Sequence, residues 1–163
     1  RLKVIDTTTN NIVDTIYCGY YPFDVVISAN GNTAYISNFW SATISKIDIP
    51  SKTLTNTISV GYSPYEIIIT SNETKAYVTN HLSNTVSVID LINDLLITSI
   101  SVGQEPSGIA MSPDKSTLYV ANRGSNSISV IDINSNNVID TININGSPYD
   151  IATTKLISAI RGF

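Results

Sequence analysis

Residues 64–90 read PYEIIITSNETKAYVTNHLSNTVSVID, and this pattern returns along the chain at intervals of 42 residues. The positions that repeat are Pro22, Pro64, Pro106 and Pro148, then Tyr35, Tyr77 and Tyr119, and Asp6, Asp48, Asp90 and Asp132. A period of about 40 to 50 residues that holds four short strands is typical of a β-propeller blade, because one four-stranded sheet needs neighbours to bury both its faces. The sequence therefore predicts an all-β propeller of four-stranded antiparallel blades.

One period divides into four strands by its alternation and its turns. Residues 64–70 are apolar and β-branched, which predicts an innermost strand buried on both faces, and 75–80, 85–90 and 95–102 predict the next three strands. We expect a single propeller domain over 1–163, with complete blades at 19–60, 61–102 and 103–145. Residues 1–18 are then the outer strands of a closing blade, and residues 146–163 are its inner strands.

The 163 residues correspond to almost four periods, which predicts a ring of four blades. In this arrangement residues 149–153 and 156–160 pair with the N-terminal strands, so that no strand edge is left exposed to other chains. Two alternatives remain open, an eight-bladed ring made by two chains and a piece of a larger ring. The chain is accordingly expected to be a monomer or a homodimer. Residues 156–163 lack the tyrosine motif of the repeat, and no role is predicted for them.

Composition excludes several classes of function. The net charge is −4 and no run of Lys or Arg is present, so the chain lacks the positive surface that nucleic acid requires. No apolar stretch reaches the roughly 20 residues that span a bilayer, so no membrane insertion is expected. Cys18 is the single cysteine, which excludes an internal disulfide or a multi-cysteine metal site. We expect it to be a small buried hydrophobic residue, because other repeats carry Val or Ile there.

The repeated aspartates and tyrosines are predicted to be structural. Each aspartate ends a strand and precedes a short polar turn, where its carboxylate can accept backbone N–H groups. The repeated tyrosines lie in the second strand, and we expect them to pack between neighbouring blades.

The motifs YISN at 35–38, YVTN at 77–80 and YVAN at 119–122 precede a VSVID-like strand and a Gly-x-x-Pro turn. In this combination the chain resembles the YVTN-type β-propeller repeat over nearly its whole length. The resemblance implies a surface-layer or other cell-envelope protein of archaea or bacteria, usually a seven-bladed ring within a longer chain, with a distant similarity to lactonase-type propellers. It implies the fold far more strongly than any activity.

Most aromatic residues outside the tyrosine motif are predicted to lie on one face of the propeller. In propellers the loops between blades share a face with the loops between the second and third strands, and that face usually binds. Aromatic residues that vary between repeats in such loops indicate a recognition surface for sugars or peptides. The predicted ligand-binding residues are Tyr20, Tyr21, Phe39, Trp40, Tyr62, His81 and Arg123. By contrast, Phe23, Tyr65 and Tyr149 share one repeat position and are predicted to fill the ring centre.

Three carboxylates share the position two residues after the repeated proline: Asp24, Glu66 and Asp150, with Gly108 interrupting the series. At the start of innermost strands they are expected to converge near the axis, where carboxylate oxygens suit a hard cation. The sequence therefore gives a candidate axial Ca²⁺ site, and it suggests no other cofactor.

Evidence for catalysis is sparse. His81 is the only histidine, which excludes a multi-histidine metal site, and the chain has no Gly-x-Ser-x-Gly or phosphate-binding glycine motif. No catalytic residue is assigned. We expect a non-catalytic binding or structural propeller at the cell surface or outside the cell, with a protein or glycan as partner. The alternatives are a lactonase-like hydrolase or lyase acting on the same face, and a pure structural spacer.

Overall fold

A computed structural model describes residues 1–154, and every regular element in that range is a β-strand. Strands β1 (Leu2–Asp6) and β2 (Asn11–Ile16) form a hairpin. Three antiparallel four-stranded sheets follow, each in chain order. The all-β propeller prediction is confirmed. No helix in the described range has the length and apolar character required to cross a membrane.

The three sheets are the blades of the propeller, and each has its strands at the spacing of the repeat. The first blade contains β3 (Pro22–Ile27), β4 (Thr33–Asn38), β5 (Thr43–Asp48) and β6 (Thr53–Ser59). The second contains β7 (Pro64–Ile69), β8 (Lys75–Asn80), β9 (Thr85–Asp90) and β10 (Leu95–Ser101). The third contains β11 (Pro106–Met111), β12 (Thr117–Asn122), β13 (Ser127–Asp132) and β14 (Asn137–Asn143).

The turn before each outermost strand is built by the repeated aspartate and by a residue in the left-handed region. Asp90 Oδ1 accepts the N–H groups of Ile92 and Asn93 at 2.8 and 3.0 Å, and Asp6 and Asp132 cap their turns in the same way. Hydrogen bonds from Asn93 lower the pKa of Asp90. The left-handed residues recur with the same period, at Asn10, Lys52, Asp94 and Asn136. The predicted turn-capping role is therefore confirmed.

The hydrophobic core lies between the sheets. The interior positions of the first and second blades meet in one cluster that includes Tyr35, Ile44 and Val78, and those of the second and third meet in another that includes Tyr77 and Leu118. A third cluster joins the hairpin to the first blade, and Cys18 packs against it, half-buried. Tyr35 and Tyr77 therefore pack where neighbouring blades meet, as the sequence predicts, whereas Tyr119 is only partly buried and belongs to neither cluster.

The composite closing blade expected from the sequence is not formed within the described residues. Strand β1 pairs only with β2, and residues 149–153 run beside β11 without pairing to the hairpin. The Gly108 N–H donates to the Tyr149 carbonyl at 3.0 Å, and the Thr153 hydroxyl donates to the Met111 carbonyl at 2.5 Å. The segment thus takes the place of an innermost strand in a further blade. Residues 156–160, also expected in the closing blade, lie outside the described range.

Candidate functional site

The two sets of loops that carry the predicted ligand-binding residues are joined by backbone hydrogen bonds. Phe39 N–H donates to the Tyr21 carbonyl at 2.9 Å, and His81 N–H donates to the Ser63 carbonyl at 2.9 Å. In the third blade Arg123 N–H donates to the Glu105 carbonyl at 3.1 Å. Each loop between a second and a third strand is therefore fixed against the connection that enters the same blade, and both lie on one face.

Aromatic rings on this face form a continuous group, which we call the aromatic face. The rings of Tyr21, Phe39 and Trp40 contact one another, with centroid separations of 5.9 Å for Tyr21–Phe39 and 5.1 Å for Phe39–Trp40. Phe39 also lies 6.2 Å from Tyr65, whose ring is 5.7 Å from His81. The remaining rings are those of Phe23 and Tyr149, and the Arg123 guanidinium lies against the Tyr149 ring.

The outer part of the aromatic face is open to solvent. Trp40 is 68% exposed and Tyr21 is 59% exposed, although both rings touch other aromatic rings. Tyr20 and Tyr62, in the connections into the first and second blades, are more exposed still, with no aromatic neighbour in the described structure. An exposed group of large apolar rings is unusual on a protein surface unless it meets a ligand or a partner.

The inner part is made by the aromatic residues that share one repeat position. The ring centroids of Phe23 and Tyr65 lie 3.8 Å apart, and the Tyr65 hydroxyl forms a hydrogen bond with the Tyr149 hydroxyl. The Arg123 guanidinium stands 5.9 Å from the Tyr149 ring. Burial, together with the hydrogen bond to Tyr149, raises the pKa of Tyr65. These rings meet across the innermost strands, but Phe23 and Tyr149 are 39% and 50% exposed, so their filling of the ring centre stays a prediction.

Two of the three carboxylates predicted to bind a cation, Asp24 and Glu66, join neighbouring blades. Asp24 Oδ2 in the first blade accepts the Ile67 N–H of the second blade at 3.0 Å. Glu66 Oε2 in the second blade accepts the Ile109 N–H of the third blade at 3.0 Å. We call this repeated contact the carboxylate bridge. No set of three His, Cys, Asp or Glu side chains within residues 1–154 is placed to hold a metal ion, so the axial Ca²⁺ stays a prediction.

Gly108 interrupts the carboxylate series for a steric reason. A Cβ atom on Gly108 would lie 2.6 Å from the Asp150 Cα and 3.0 Å from the Ile151 nitrogen. A side chain at this position would therefore push the segment 148–153 away from β11. Ile151 N–H, left without a bridge from the third blade, donates to its own neighbour Asp150 Oδ1 at 2.7 Å.

Glu66 has a carboxyl group whose pKa is raised by its surroundings. Partial burial raises its pKa above the ordinary value of 4.5, the charges of Asp150 and Asp24 raise it further, and the Ile109 N–H opposes them. A carboxyl group with a raised pKa in the folded state favours folding most below its ordinary pKa. That contribution is lost as the pH rises through the folded-state value.

We therefore expect Glu66→Gln to become more stable relative to the parent protein as the pH rises from 4 to 7. Glutamine keeps an oxygen for the Ile109 N–H and removes the charge. The measurement is the free energy of unfolding in urea at several pH values, with Glu105→Gln as the control because Glu105 is exposed and gives the same change in net charge. Equal pH profiles for the two variants would contradict the prediction.

Sequence reasoning missed the hydroxyl groups that hold the innermost strands together. The Ser37 hydroxyl donates to the Tyr65 carbonyl at 2.6 Å, and the Thr79 hydroxyl donates to the Ser107 carbonyl at 2.7 Å. In the third blade Ala121 occupies this position, and Ser107 donates to the Tyr149 carbonyl instead at 2.6 Å. The signal available in the sequence was the 42-residue spacing of Ser37 and Thr79.

Comparison with known proteins supports the propeller architecture. The family model described as lactonase, 7-bladed β-propeller matches residues 56–155. Among solved structures, hydrazine synthase of Kuenenia stuttgartiensis is similar, with a TM-score of 0.77 and 31% sequence identity over 83% of this chain and 40% of that chain. No curated protein matches.

A second solved structure shows the same fold at lower identity. It is a functionally unknown protein from Desulfotomaculum acetoxidans, with a TM-score of 0.64 and 21% identity over 79% of this chain and 45% of that chain. The chain spans less than half the length of both solved proteins.

Proposed function

Because this chain belongs to the lactonase family of seven-bladed β-propellers, we propose that it is a non-catalytic propeller unit that recognises carbohydrate or protein ligands through its aromatic face. The observation that carries the proposal is the contact of Trp40 and Tyr21 with Phe39, which leaves two large rings together at the surface. Rings that contact one another in this way have restricted side-chain rotation in the free protein. Ligand binding therefore costs them little additional conformational entropy.

The chemistry of the face suits a sugar. An aromatic ring offers a large apolar face to the C–H groups of a pyranose, and polar groups at its border give orientation. Tyr62 and Tyr20 supply further exposed rings with hydroxyl groups, and Arg123 supplies a charged donor near Tyr149. We infer that the face binds oligosaccharides, and that a protein ligand would present its own aromatic or carbohydrate groups there.

The repeat sequence supports a finer assignment. The motifs at 35–38, 77–80 and 119–122 match the pattern of YVTN-type propellers, which favours a prokaryotic surface-layer or cell-envelope protein with an extracellular position. On this proposal the partners are glycans or proteins at the cell surface, and neither nucleic acid nor the membrane interior is contacted.

The expected result is a saturable change in tryptophan fluorescence on titration with a binding oligosaccharide, because Trp40 is the single tryptophan. Tyr21→Ala should weaken that binding by about five- to tenfold, which corresponds to about 1 kcal/mol of lost ring contact. Tyr17→Ala is the matched control, since Tyr17 is similarly exposed but stacks against Arg1 outside the aromatic face. A glycan array provides the first ligands to titrate.

Two outcomes would contradict the recognition proposal. Equal weakening by Tyr17→Ala and Tyr21→Ala would place the ligand elsewhere on the molecule. No saturable change with any sugar or surface peptide would favour the structural spacer.

Lactone hydrolysis on the same face is the second candidate, and membership of the family favours it. His81 is the one histidine, its ring contacts Tyr65, and its Nδ1 atom is buried without a hydrogen-bond partner in the described structure. Turnover of a lactone that disappears in His81→Ala but persists in Tyr62→Ala would replace the binding proposal with an enzymatic one. No turnover by the parent protein would exclude this candidate for the substrate tested.

A further inference from the structure

A polar cavity lies between the turns of the second and third blades, on the face opposite the aromatic face. It measures about 390 Å³ and is bordered by the turn between β7 and β8, the turn between β11 and β12 and the turn after β13. Among the described residues that line it none is acidic, whereas two are lysines, Lys75 and Lys115. A cavity of this volume lies in the range of sites that bind small molecules.

At the corresponding place between the first and second blades, the protein supplies a carboxylate of its own. Glu73, in the turn between β7 and β8, accepts a hydrogen bond from the N–H of Ala29, in the turn between β3 and β4. The contact joins the first turn of one blade to the first turn of the next. At this junction a carboxylate oxygen thus binds a backbone amide of the neighbouring blade.

One repeat further along the chain the amide is kept and the carboxylate is lost. Ser71 occupies the position of Ala29, and Lys115 occupies the position of Glu73. Glu73 and Lys115 both have a left-handed backbone, with φ of 54° and 65°, so the two turns have a similar shape at this residue. Within residues 1–154 the Ser71 N–H donates no hydrogen bond. The cavity therefore presents an amide whose counterpart binds an oxyanion.

The charge at the junction is reversed as well. Lys75 replaces Thr33, so three equivalent positions carry two positive charges here and one negative charge between the first and second blades. The two lysine ion pairs in the described part of the chain lie elsewhere. Asp114, beside Lys115, is engaged in its own turn, where its Oδ1 accepts the Ser116 N–H at 3.1 Å. An anion in the cavity would offset the repulsion between the two lysines.

Phosphate matches these groups better than a single carboxylate does. A phosphate monoester carries a charge of about −1.5 to −2 at pH 7 and three strong acceptor oxygens, and lysine is a common phosphate ligand. One carboxylate would leave a positive charge uncompensated. Since one water molecule takes about 30 Å³ of liquid, the five heavy atoms of phosphate fill less than half of the 390 Å³. The remaining space can hold part of a group that carries the phosphate.

We propose that this cavity binds a phosphate group, either as the free ion or as a monoester. The Ser71 N–H donates to one oxygen, as the Ala29 N–H donates to the Glu73 carboxylate, while Lys75 from the second blade and Lys115 from the third bind the others. The site lies on the face opposite the aromatic residues, so it does not depend on what the aromatic face binds.

The test is a titration of the ¹⁵N-labelled protein with inorganic phosphate at constant ionic strength, followed by the amide resonances. The Ser71 resonance should shift and saturate. Lys75→Gln and Lys115→Gln should each weaken binding about fivefold, because each removes one partly solvated charge. Lys52→Gln is the matched control, since Lys52 is also an exposed turn residue with a left-handed backbone, and it should keep the parent affinity.

A fourth variant supplies the missing carboxylate from the protein. Lys115→Glu reproduces the pair formed by Glu73 and Ala29, so the Ser71 resonance should no longer respond to phosphate. Lys3→Glu makes the same change in net charge on the N-terminal hairpin and should still bind. The other amide resonances of each variant report whether the fold is kept.

Methyl phosphate, titrated in parallel, distinguishes the two sources of the group. Tighter binding of the ester than of the free ion would identify a monoester as the ligand, and weaker binding would identify the free ion. No saturable shift of Ser71 with either compound would overturn the proposal. Undiminished binding by Lys115→Glu, or equal weakening by Lys52→Gln and Lys115→Gln, would overturn it as well.

Discussion

Replacing Tyr77 with alanine is expected to lower the free energy of unfolding by about 3 to 5 kcal/mol, because it opens a cavity between the second and third blades. Tyr77 is completely buried and packs in the cluster that joins those blades. Its hydroxyl donates to Asn136 Oδ1 at 2.9 Å, and burial raises its pKa to about 12. Truncation thus removes a ring and a hydrogen bond at the middle of the stack. Urea denaturation measures the loss.

Two further variants identify the origin of this effect. Tyr77→Phe keeps the ring and should cost about 1 kcal/mol, the usual contribution of one hydrogen bond. Tyr119→Ala alters the same repeat position in the third blade, where the side chain is only partly buried, and should cost clearly less than Tyr77→Ala. Equal losses for Tyr77→Ala and Tyr119→Ala would show that packing between these two blades does not dominate stability.

The second large effect is expected for Gly61→Ala, which should cost about 1 to 3 kcal/mol through overpacking. A Cβ atom on Gly61 would lie 2.7 Å from the Asn80 Cγ atom. Asn80 is fully buried, and its Nδ2 donates to Ser87 and Thr85 hydroxyls at 2.8 and 3.0 Å, so its side chain has little freedom to move. The same arrangement recurs at Gly19 and Gly103.

A double variant separates overpacking from a general effect of alanine. Asn80→Gly removes all three side-chain atoms that the Cβ of Gly61→Ala would strike, so the double variant should lose less stability than the sum of the two single variants. Thermal or urea unfolding of all four proteins gives the coupling energy. Strictly additive losses would mean that the contact between Gly61 and Asn80 does not limit the space there.

The strands were predictable because each side chain in the repeat has a local reason for its place. The expected second and third strands of the middle blade, 75–80 and 85–90, coincide with β8 and β9, and the other two differ by one residue at one end. Alternation, β-branched residues and turn-forming Asn and Asp act over a few residues, so one sequence is enough to locate them. Because the same pattern recurs every 42 residues, the ends of a strand in one repeat could be checked against the ends of its counterparts in the others.

The site was only partly predictable. The gathering of aromatic residues on one face follows from blade geometry, and the structure brings Tyr21, Phe39 and Trp40 together. The role of Asp24 and Glu66 was missed, because their partners are amides in the next blade, which depend on how far the innermost strands are offset. Closure through pairing of the termini stays a prediction, because residues 156–160 lie outside the described range.

The location of the hydrophobic clusters between sheets has a consequence for how the molecule opens. Each buried cluster among residues 1–154 joins two neighbouring sheets, so each sheet depends on its neighbours for stability, and local unfolding should spread along the stack as in other repeat proteins. The middle blade has neighbours on both faces, and its interior residues Val78, Val86 and Val88 are completely buried. The N-terminal hairpin packs against the first blade, and the described residues 1–154 show no cluster on its other face. Amide protection should therefore rise from the hairpin towards the second blade, which hydrogen exchange of the backbone amides would measure.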